Sequence, residues 1–120
     1  MLCLHLHRLG YGLDGTQRKD RCHITFPPLL DVGPLCWPRP AAWHQRIGAP
    51  AVPLRLVAAI MHLGGATSGH FITYRQVAPP AGAPPSAAPQ WVCISDDEVR
   101  PVPASQVYSC EAYILFYSRM

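Results

Sequence analysis

The sequence predicts a small α+β fold that consists mainly of short antiparallel strands. Six segments either alternate polar and apolar side chains or are rich in branched and aromatic residues, as strands are. Proline makes up 14 of the 120 residues, and prolines at that density exclude long helices. Only residues 103–109 have the composition of one or two helical turns. A single small domain, mostly of strands, is therefore expected.

Turn-forming residues delimit the predicted strands. The first strand alternates leucine with cysteine and histidine, which indicates one buried face. Residues 54–62 are nearly all apolar and predict a strand buried on both faces. The six predicted strands cover residues 2–9, 23–26, 54–62, 70–76, 90–95 and 112–117.

Two stretches are predicted to be irregular. Residues 27–53 contain seven prolines and favour an extended, irregular backbone. Residues 77–89 form a low-complexity connector of proline and alanine, which we expect to be solvated and mobile. The two strands that flank this connector are candidates for an antiparallel hairpin.

Composition and charge exclude several classes of protein. Hydrophobic residues make up 49% and charged residues 14% of the chain, so disorder driven by high charge is not expected. The net charge is +3, and the nine arginines and one lysine are scattered, which argues against nucleic acid as a partner. No segment approaches the ~20 apolar residues that span a bilayer, so no membrane segment is expected in this chain.

The five cysteines indicate free thiols. Their number is odd and no Cys-x-x-Cys pair occurs, which favours a reducing intracellular compartment over a disulfide framework or a zinc ribbon. A metal site formed by His5, His7, His62 and His70 is an alternative, but no Glu or Cys completes a known ligand spacing. We therefore expect no metal and no cofactor.

The predicted hairpin brings a histidine close to polar side chains. If Gln76 faces Pro89, then His70 faces Ser95, and a register shift of one residue would place Asp96 there instead. A histidine with an orienting group is half of a nucleophile–base–orienter arrangement. The alternative is a polar residue at a strand end next to an ordinary turn. The spacing alone leaves both open.

Five segments of the chain together resemble the ubiquitin-specific cysteine proteases. Residues 4–9 are similar to the family's L-x-H-L-x-R-F strand, and residues 23–32 to its V-x-F-P-x-x-L-D-L segment. Three further segments resemble its histidine box and closing strands: residues 69–75, 91–99 and 112–117. The resemblance implies the strand-rich palm of a papain-like fold and an incomplete, C-terminal half of a catalytic domain.

The resemblance also implies roles for individual residues. His70 corresponds to the catalytic base, Ser95 to the group that orients it, and Asp96 to an acidic neighbour. Serine at this position is typical of a mitochondrial outer-membrane branch of the family. The intact parent is therefore expected in the cytosol or at the mitochondrial outer membrane.

The substrate implied by the resemblance is ubiquitin or a ubiquitinated protein. Gly64, Gly65 and Gly69 correspond to the loop that closes over the ubiquitin tail, where small residues allow close backbone approach. Phe71 completes the expected substrate-binding set and stands where the family usually has Tyr. No cofactor is implied.

The chain departs from the family pattern at the nucleophile. The family's cysteine lies in a G-N-x-C segment, and no cysteine here has that context. Cys93 would lie near His70, but in the middle of a strand. We therefore expect a fragment of a thiol isopeptidase that is inactive alone. The alternative is a catalytically dead module that binds ubiquitin or another partner.

Overall fold

One large antiparallel sheet dominates the computed structural model, which describes residues 1–36, 51–79, 81–84 and 88–120. Among these residues, seven strands form this sheet and two more form a separate hairpin. In chain order the elements are β1 (Leu2–His5), β2 (Leu9–Tyr11), β3 (Gln17–Lys19), β4 (Leu29–Asp31), α1 (Gly33–Cys36), β5 (Pro53–Gly64), β6 (Gly69–Val77), β7 (Gln90–Ser95), β8 (Glu98–Val102), α2 (Ala104–Tyr108) and β9 (Ala112–Arg119).

The strand order of the sheet is β1-β9-β5-β6-β7-β8, and β4 pairs with β5 beyond this path. Three consecutive hairpins, β5-β6, β6-β7 and β7-β8, form one side of the sheet. β9 then returns to lie between β5 and β1. The antiparallel sheet with short helices confirms the predicted α+β fold class.

The longest strand, β5, keeps one buried face, but its inward and outward alternation shifts by one residue at a β-bulge. Leu54 and Leu56 are buried, and after the register shift between Leu56 and Ala58 the next buried residue is Ala59. An extra residue at Val57 reverses the inward and outward alternation. The prediction that residues 54–62 are buried on both faces was wrong, because a phase change in one buried face produces the same apolar run.

The hydrophobic core lies on one face of the sheet. Helix α2 packs there through Val107, which is fully buried, and Gln106 Nε2 donates to the hydroxyl of Tyr74 on β6 at 3.3 Å. Tyr117 on β9 donates to the carbonyl of Pro27 at 2.8 Å. These contacts fix the strand that carries the candidate histidine.

A buried arginine joins three backbone segments. Arg8 Nε donates to the carbonyl of Ala112 at 2.6 Å, and Nη1 donates to the carbonyls of Asp20 and Cys22 at 3.0 and 2.8 Å. The predicted strand 2–9 is divided into β1, which ends at His5, and β2, which begins at Leu9, with Arg8 in the link between them.

Other boundaries also differ from the predictions. Residues 23–26 form no ladder, although Phe26 is buried in the core. β4 and α1 lie within the stretch 27–53, which was predicted to be irregular, and residues 37–50 of that stretch lie outside the described residues. β8 was not predicted because it contains Pro101, which an edge strand tolerates.

The connector 77–89 is described only in part, since residues 80 and 85–87 lie outside the described residues. Apart from Val77, at the end of β6, its described members belong to no strand. Within the described ranges, no helix has the length and apolar character needed to cross a bilayer.

Candidate active site

His70 lies at the start of β6, on the core face of the sheet. It pairs with Leu63 on β5, and it shares its face with Ile72 and Tyr74, both buried, because side chains alternate along a strand. The imidazole itself is only partly buried. β6 therefore presents His70 where the packed core opens to solvent.

Ser95 ends β7 and reaches His70 diagonally across the ladder. Tyr74 pairs with Cys93, a register two residues away from the predicted one, so Ser95 is not directly opposite His70. A shift of two residues keeps both side chains on the same face. His70 Nε2 and Ser95 Oγ form a hydrogen bond of 2.8 Å.

Asp96 lies in the turn that follows Ser95. Its Oδ2 is 3.8 Å from His70 Nε2, and its side chain is 80% exposed. Asp96 and Asp97 form the two-residue connection between the paired residues Ser95 and Glu98. Asp96 has a φ of 52°, a left-handed conformation that Asp tolerates better than most residues. It is thus both a turn residue and a neighbour of the imidazole.

The glycine-rich loop forms the tip of the β5-β6 hairpin. Gly64 pairs with Gly69, and the N–H of Gly65 donates to the carbonyl of Ser68 at 3.0 Å. Gly64 has a φ of +102°, and a Cβ there would lie 2.7 Å from the carbonyl oxygen of Ser68. The hairpin thus requires glycine at this position. His70 follows the loop directly.

Phe71 lies on the other face of the sheet from His70. Its ring is 4.7 Å from that of His62 and 5.8 Å from that of Tyr113, measured between centroids. The structure therefore brings His70, Ser95 and Asp96 together next to the glycine loop, but not Phe71. Its role in substrate binding stays a prediction.

The described cysteines do not supply a nucleophile next to His70. Cys93 and Cys110 are buried, whereas Cys3 and Cys22 are exposed, and in the described part of the chain no cysteine hydrogen-bonds to this imidazole. Burial raises the pKa of the Cys110 thiol to about 11, which leaves it protonated near neutral pH.

The hydrogen bond to Ser95 determines which imidazole nitrogen is available for chemistry. Nε2 faces Ser95 and Asp96, and in the tautomer with hydrogen on Nε2 it is Nδ1 that can accept a proton. In that tautomer Nε2 carries hydrogen and donates to Ser95 Oγ. An imidazole held in this way can act as an oriented general base.

A metal centre receives no support from the described residues. Among residues 1–36, 51–79, 81–84 and 88–120, no three side chains of His, Cys, Asp or Glu are arranged to hold a metal ion. His5 and His7 contact each other edge to face, with ring centroids 6.4 Å apart.

Sequence reasoning missed two cations near the glycine loop. Lys19 and Arg21 both donate hydrogen bonds to the carbonyl oxygen of Gly64. In the sequence, Lys19 is the chain's single lysine and lies within a basic stretch. That pattern does not indicate that it hydrogen-bonds to Gly64, 45 residues away.

The fold is that of the strand-rich palm of a papain-like cysteine protease. The chain belongs to the ubiquitin carboxyl-terminal hydrolase family, whose sequence profile matches residues 1–117. The resemblance recognised in five short segments is thereby confirmed.

Curated relatives of this family are similar over most of the chain. Ubiquitin carboxyl-terminal hydrolase 30 from Homo sapiens is 47% identical over 99 residues, and the Rattus norvegicus protein is 41% identical. These alignments cover 82% of this chain and 19% of each relative. The chain thus spans about a fifth of the length of these relatives.

Solved structures share the fold. The SAGA Ubp8/Sgf11/Sus1/Sgf73 DUB module bound to ubiquitin aldehyde matches with a TM-score of 0.80 and 26% identity, over 98% of this chain and 24% of that chain. The yeast SAGA DUBm with a mutant Sgf73 matches with a TM-score of 0.75 and 25% identity, over 98% and 23%. The predicted papain-like fold is confirmed.

Proposed function

We propose that this chain supplies the general base and its orienting group to a deubiquitinating thiol isopeptidase. The observation that carries the proposal is the 2.8 Å hydrogen bond between His70 Nε2 and Ser95 Oγ, next to the glycine loop. Asp96 is the acidic neighbour. The cysteine nucleophile comes from outside the described residues.

In this reaction the base acts twice. His70 Nδ1 takes the proton from the cysteine Sγ, and the thiolate attacks the carbonyl carbon of the ubiquitin C-terminal glycine. The protonated imidazole then gives that proton to the leaving lysine amine as the C–N bond breaks. Water, deprotonated by His70, hydrolyses the thioester and releases the cysteine.

We propose ubiquitin as the substrate for two reasons. The chain belongs to the ubiquitin carboxyl-terminal hydrolase family, and it has the glycine-rich loop that the resemblance assigns to the ubiquitin tail. The matched DUB module was solved with ubiquitin aldehyde bound, which supports the same partner here. The proposed substrate-binding residues are Gly64, Gly65, Gly69 and Phe71. The intact protein is proposed to act in the cytosol or at the mitochondrial outer membrane, as the serine at position 95 suggests.

One observation favours a second candidate function, a ubiquitin-binding module without catalysis. In the described residues the imidazole has Ser95 and Asp96 as neighbours but no thiol partner. A chain of this kind would keep a ubiquitin-contacting surface and would turn over nothing.

The test is hydrolysis of a fluorogenic ubiquitin C-terminal amide by a chimera. The chain is fused behind the G-N-x-C segment of a family relative and compared with the chain alone. We expect turnover by the chimera only. His70→Ala should lower kcat at least 100-fold, and Ser95→Ala roughly tenfold, which corresponds to one oriented hydrogen bond of about 1.4 kcal/mol.

Two controls separate catalysis from folding. His23→Ala removes an exposed histidine and should leave turnover unchanged. Asp96→Gly removes the carboxylate but suits the left-handed turn, so it should lower kcat less than Ser95→Ala without lowering stability. An inactive chimera that still binds ubiquitin would favour the second candidate, and equal activity of His70→Ala and the parent chimera would refute the first.

A further inference from the structure

Two cations, one at the end of β3 and one two residues beyond it, reach the end of β5. Lys19 Nζ donates to the carbonyl oxygen of His62 at 2.6 Å and to that of Gly64 at 3.2 Å. Arg21 Nη2 donates to the same Gly64 oxygen at 2.9 Å. Two positive side chains, 43 to 45 residues away in sequence, therefore converge on one peptide group at the start of the glycine loop.

This convergence has an electrostatic cost. Burial lowers the pKa of Lys19, and the neighbouring charge of Arg21 lowers it further. Hydrogen bonds from charged donors are about twice as strong as neutral ones, and the His62 and Gly64 carbonyls both turn toward these cations. The cations thus fix the orientation of the peptide groups where β5 ends.

The other end of the loop is fixed by packing. A Cβ on Gly69 would overlap the His62 ring and the carbonyl oxygen of Leu63, so backbone and ring are in direct contact. His62 is the residue whose carbonyl Lys19 holds. Both ends of the loop therefore depend on the same short segment of β5, and His70 follows at the next position.

We propose that Lys19 and Arg21, the loop clasp, are positioning residues that hold residues 64–69 and through them orient the His70 imidazole toward Ser95. The proposal rests on the proposed function, since it assigns the clasp to the base of that reaction. Neither cation touches the reacting atoms. Loss of the clasp should loosen the loop and weaken the bond between His70 Nε2 and Ser95 Oγ.

The test uses the 120-residue chain and needs no turnover. Nitrogen-15 NMR records the His70 ring signals, and hydrogen exchange records the Gly65 amide, which donates to the Ser68 carbonyl. In the Lys19→Met, Arg21→Met double variant we expect Gly65 exchange to rise about tenfold. The His70 ring signals should move toward those of Ser95→Ala, the reference for a lost hydrogen bond. Exchange in the middle of β9 should not change.

Two further variants make the test specific. Arg18→Met removes a cation of the β2-β3 hairpin whose guanidinium hydrogen-bonds to Asp14 Oδ2 at 3.5 Å, and it should change neither signal. Lys19→Arg, made with Arg21 left in place, keeps a charged donor. The spectrum of this single variant should match that of the parent chain. Unchanged His70 and Gly65 signals in the double variant, or equal changes in Arg18→Met, would overturn the clasp. An inactive chimera would refute the proposed function but would leave these spectra to decide the clasp.

Discussion

At the scale of single residues, the sheet face determines which predicted residues meet. His70 and Ser95 share the face of Tyr74 and Cys93, so an error of two in the predicted register did not separate them. Phe71 occupies the next position after His70 and therefore lies on the opposite face. Residues an even number of positions apart along a strand share a face, whereas direct neighbours in sequence lie on opposite faces.

The buried thiol of Cys110 should make folding stability depend on pH. Burial raises its pKa from 9.0 to about 11. The unfolded chain therefore loses this proton first, so the thiol's stabilising effect is complete below pH ~9 and is lost as the pH rises through ~11. A difference of two pKa units corresponds to roughly 2–3 kcal/mol of unfolding free energy.

Urea unfolding between pH 8 and 11.5 measures this effect. Burial also raises the pKa of Tyr108 and Tyr117, which contribute in the same direction. The comparison is therefore between the slopes of the parent chain and Cys110→Ala, whose stability should fall less steeply with pH. Parallel slopes would show that Cys110 is not the responsible group.

At the scale of elements, Arg8 lies between β1 and β2 and bridges the segment after β3 to the start of β9. Its three hydrogen bonds go to carbonyls of residues 20, 22 and 112, and its side chain is 3% exposed. Arg8→Leu would leave these carbonyls without that donor. We expect a loss of about 3–5 kcal/mol in unfolding free energy.

Chemical denaturation of both variants checks this expectation. Arg100→Leu is the matched control, because Arg100 is an exposed arginine on β8 and its replacement should change stability by less than about 0.5 kcal/mol. A similar small change in Arg8→Leu would mean that the three carbonyls find other partners.

The predictable elements are those whose local pattern agrees with the tertiary structure. β6, β7 and β9 were predicted close to their bounds because they are rich in branched and aromatic side chains. β3 was missed because Gln17–Lys19 is polar and pairs only locally with β2. The bulge at Val57 and the contacts of Lys19 depend on distant partners, and no local pattern encodes them.

At the scale of the whole molecule, the chain exposes more surface than its mass predicts. Its accessible area is 8348 Å², whereas a compact monomer of 13.2 kDa exposes about 6,400 Å². The molecule measures 54 by 51 by 19 Å. A thickness of 19 Å is little more than that of one sheet whose face is partly covered by other segments. Large apolar side chains such as Phe71 and Val99 are more than half exposed.

We therefore expect the isolated chain to self-associate. Light scattering across the micromolar range should show an apparent mass that rises with concentration. Phe71→Ser should reduce this rise, and Thr73→Ser, a change of similar kind at a partly buried position of the same strand, should not. A constant monomer mass at every concentration would contradict the expectation.

The position of β9 also determines when, during synthesis, the large sheet can finish folding. On the ribosome β1 and β5 emerge long before β9, which must lie between them, and the Arg8–Ala112 contact spans 104 positions. Until then both strands have unpaired edges, which are prone to join other chains. Pairings so distant also form slowly, on the order of milliseconds to seconds. Newly made chains should therefore depend on chaperones until synthesis has passed β9.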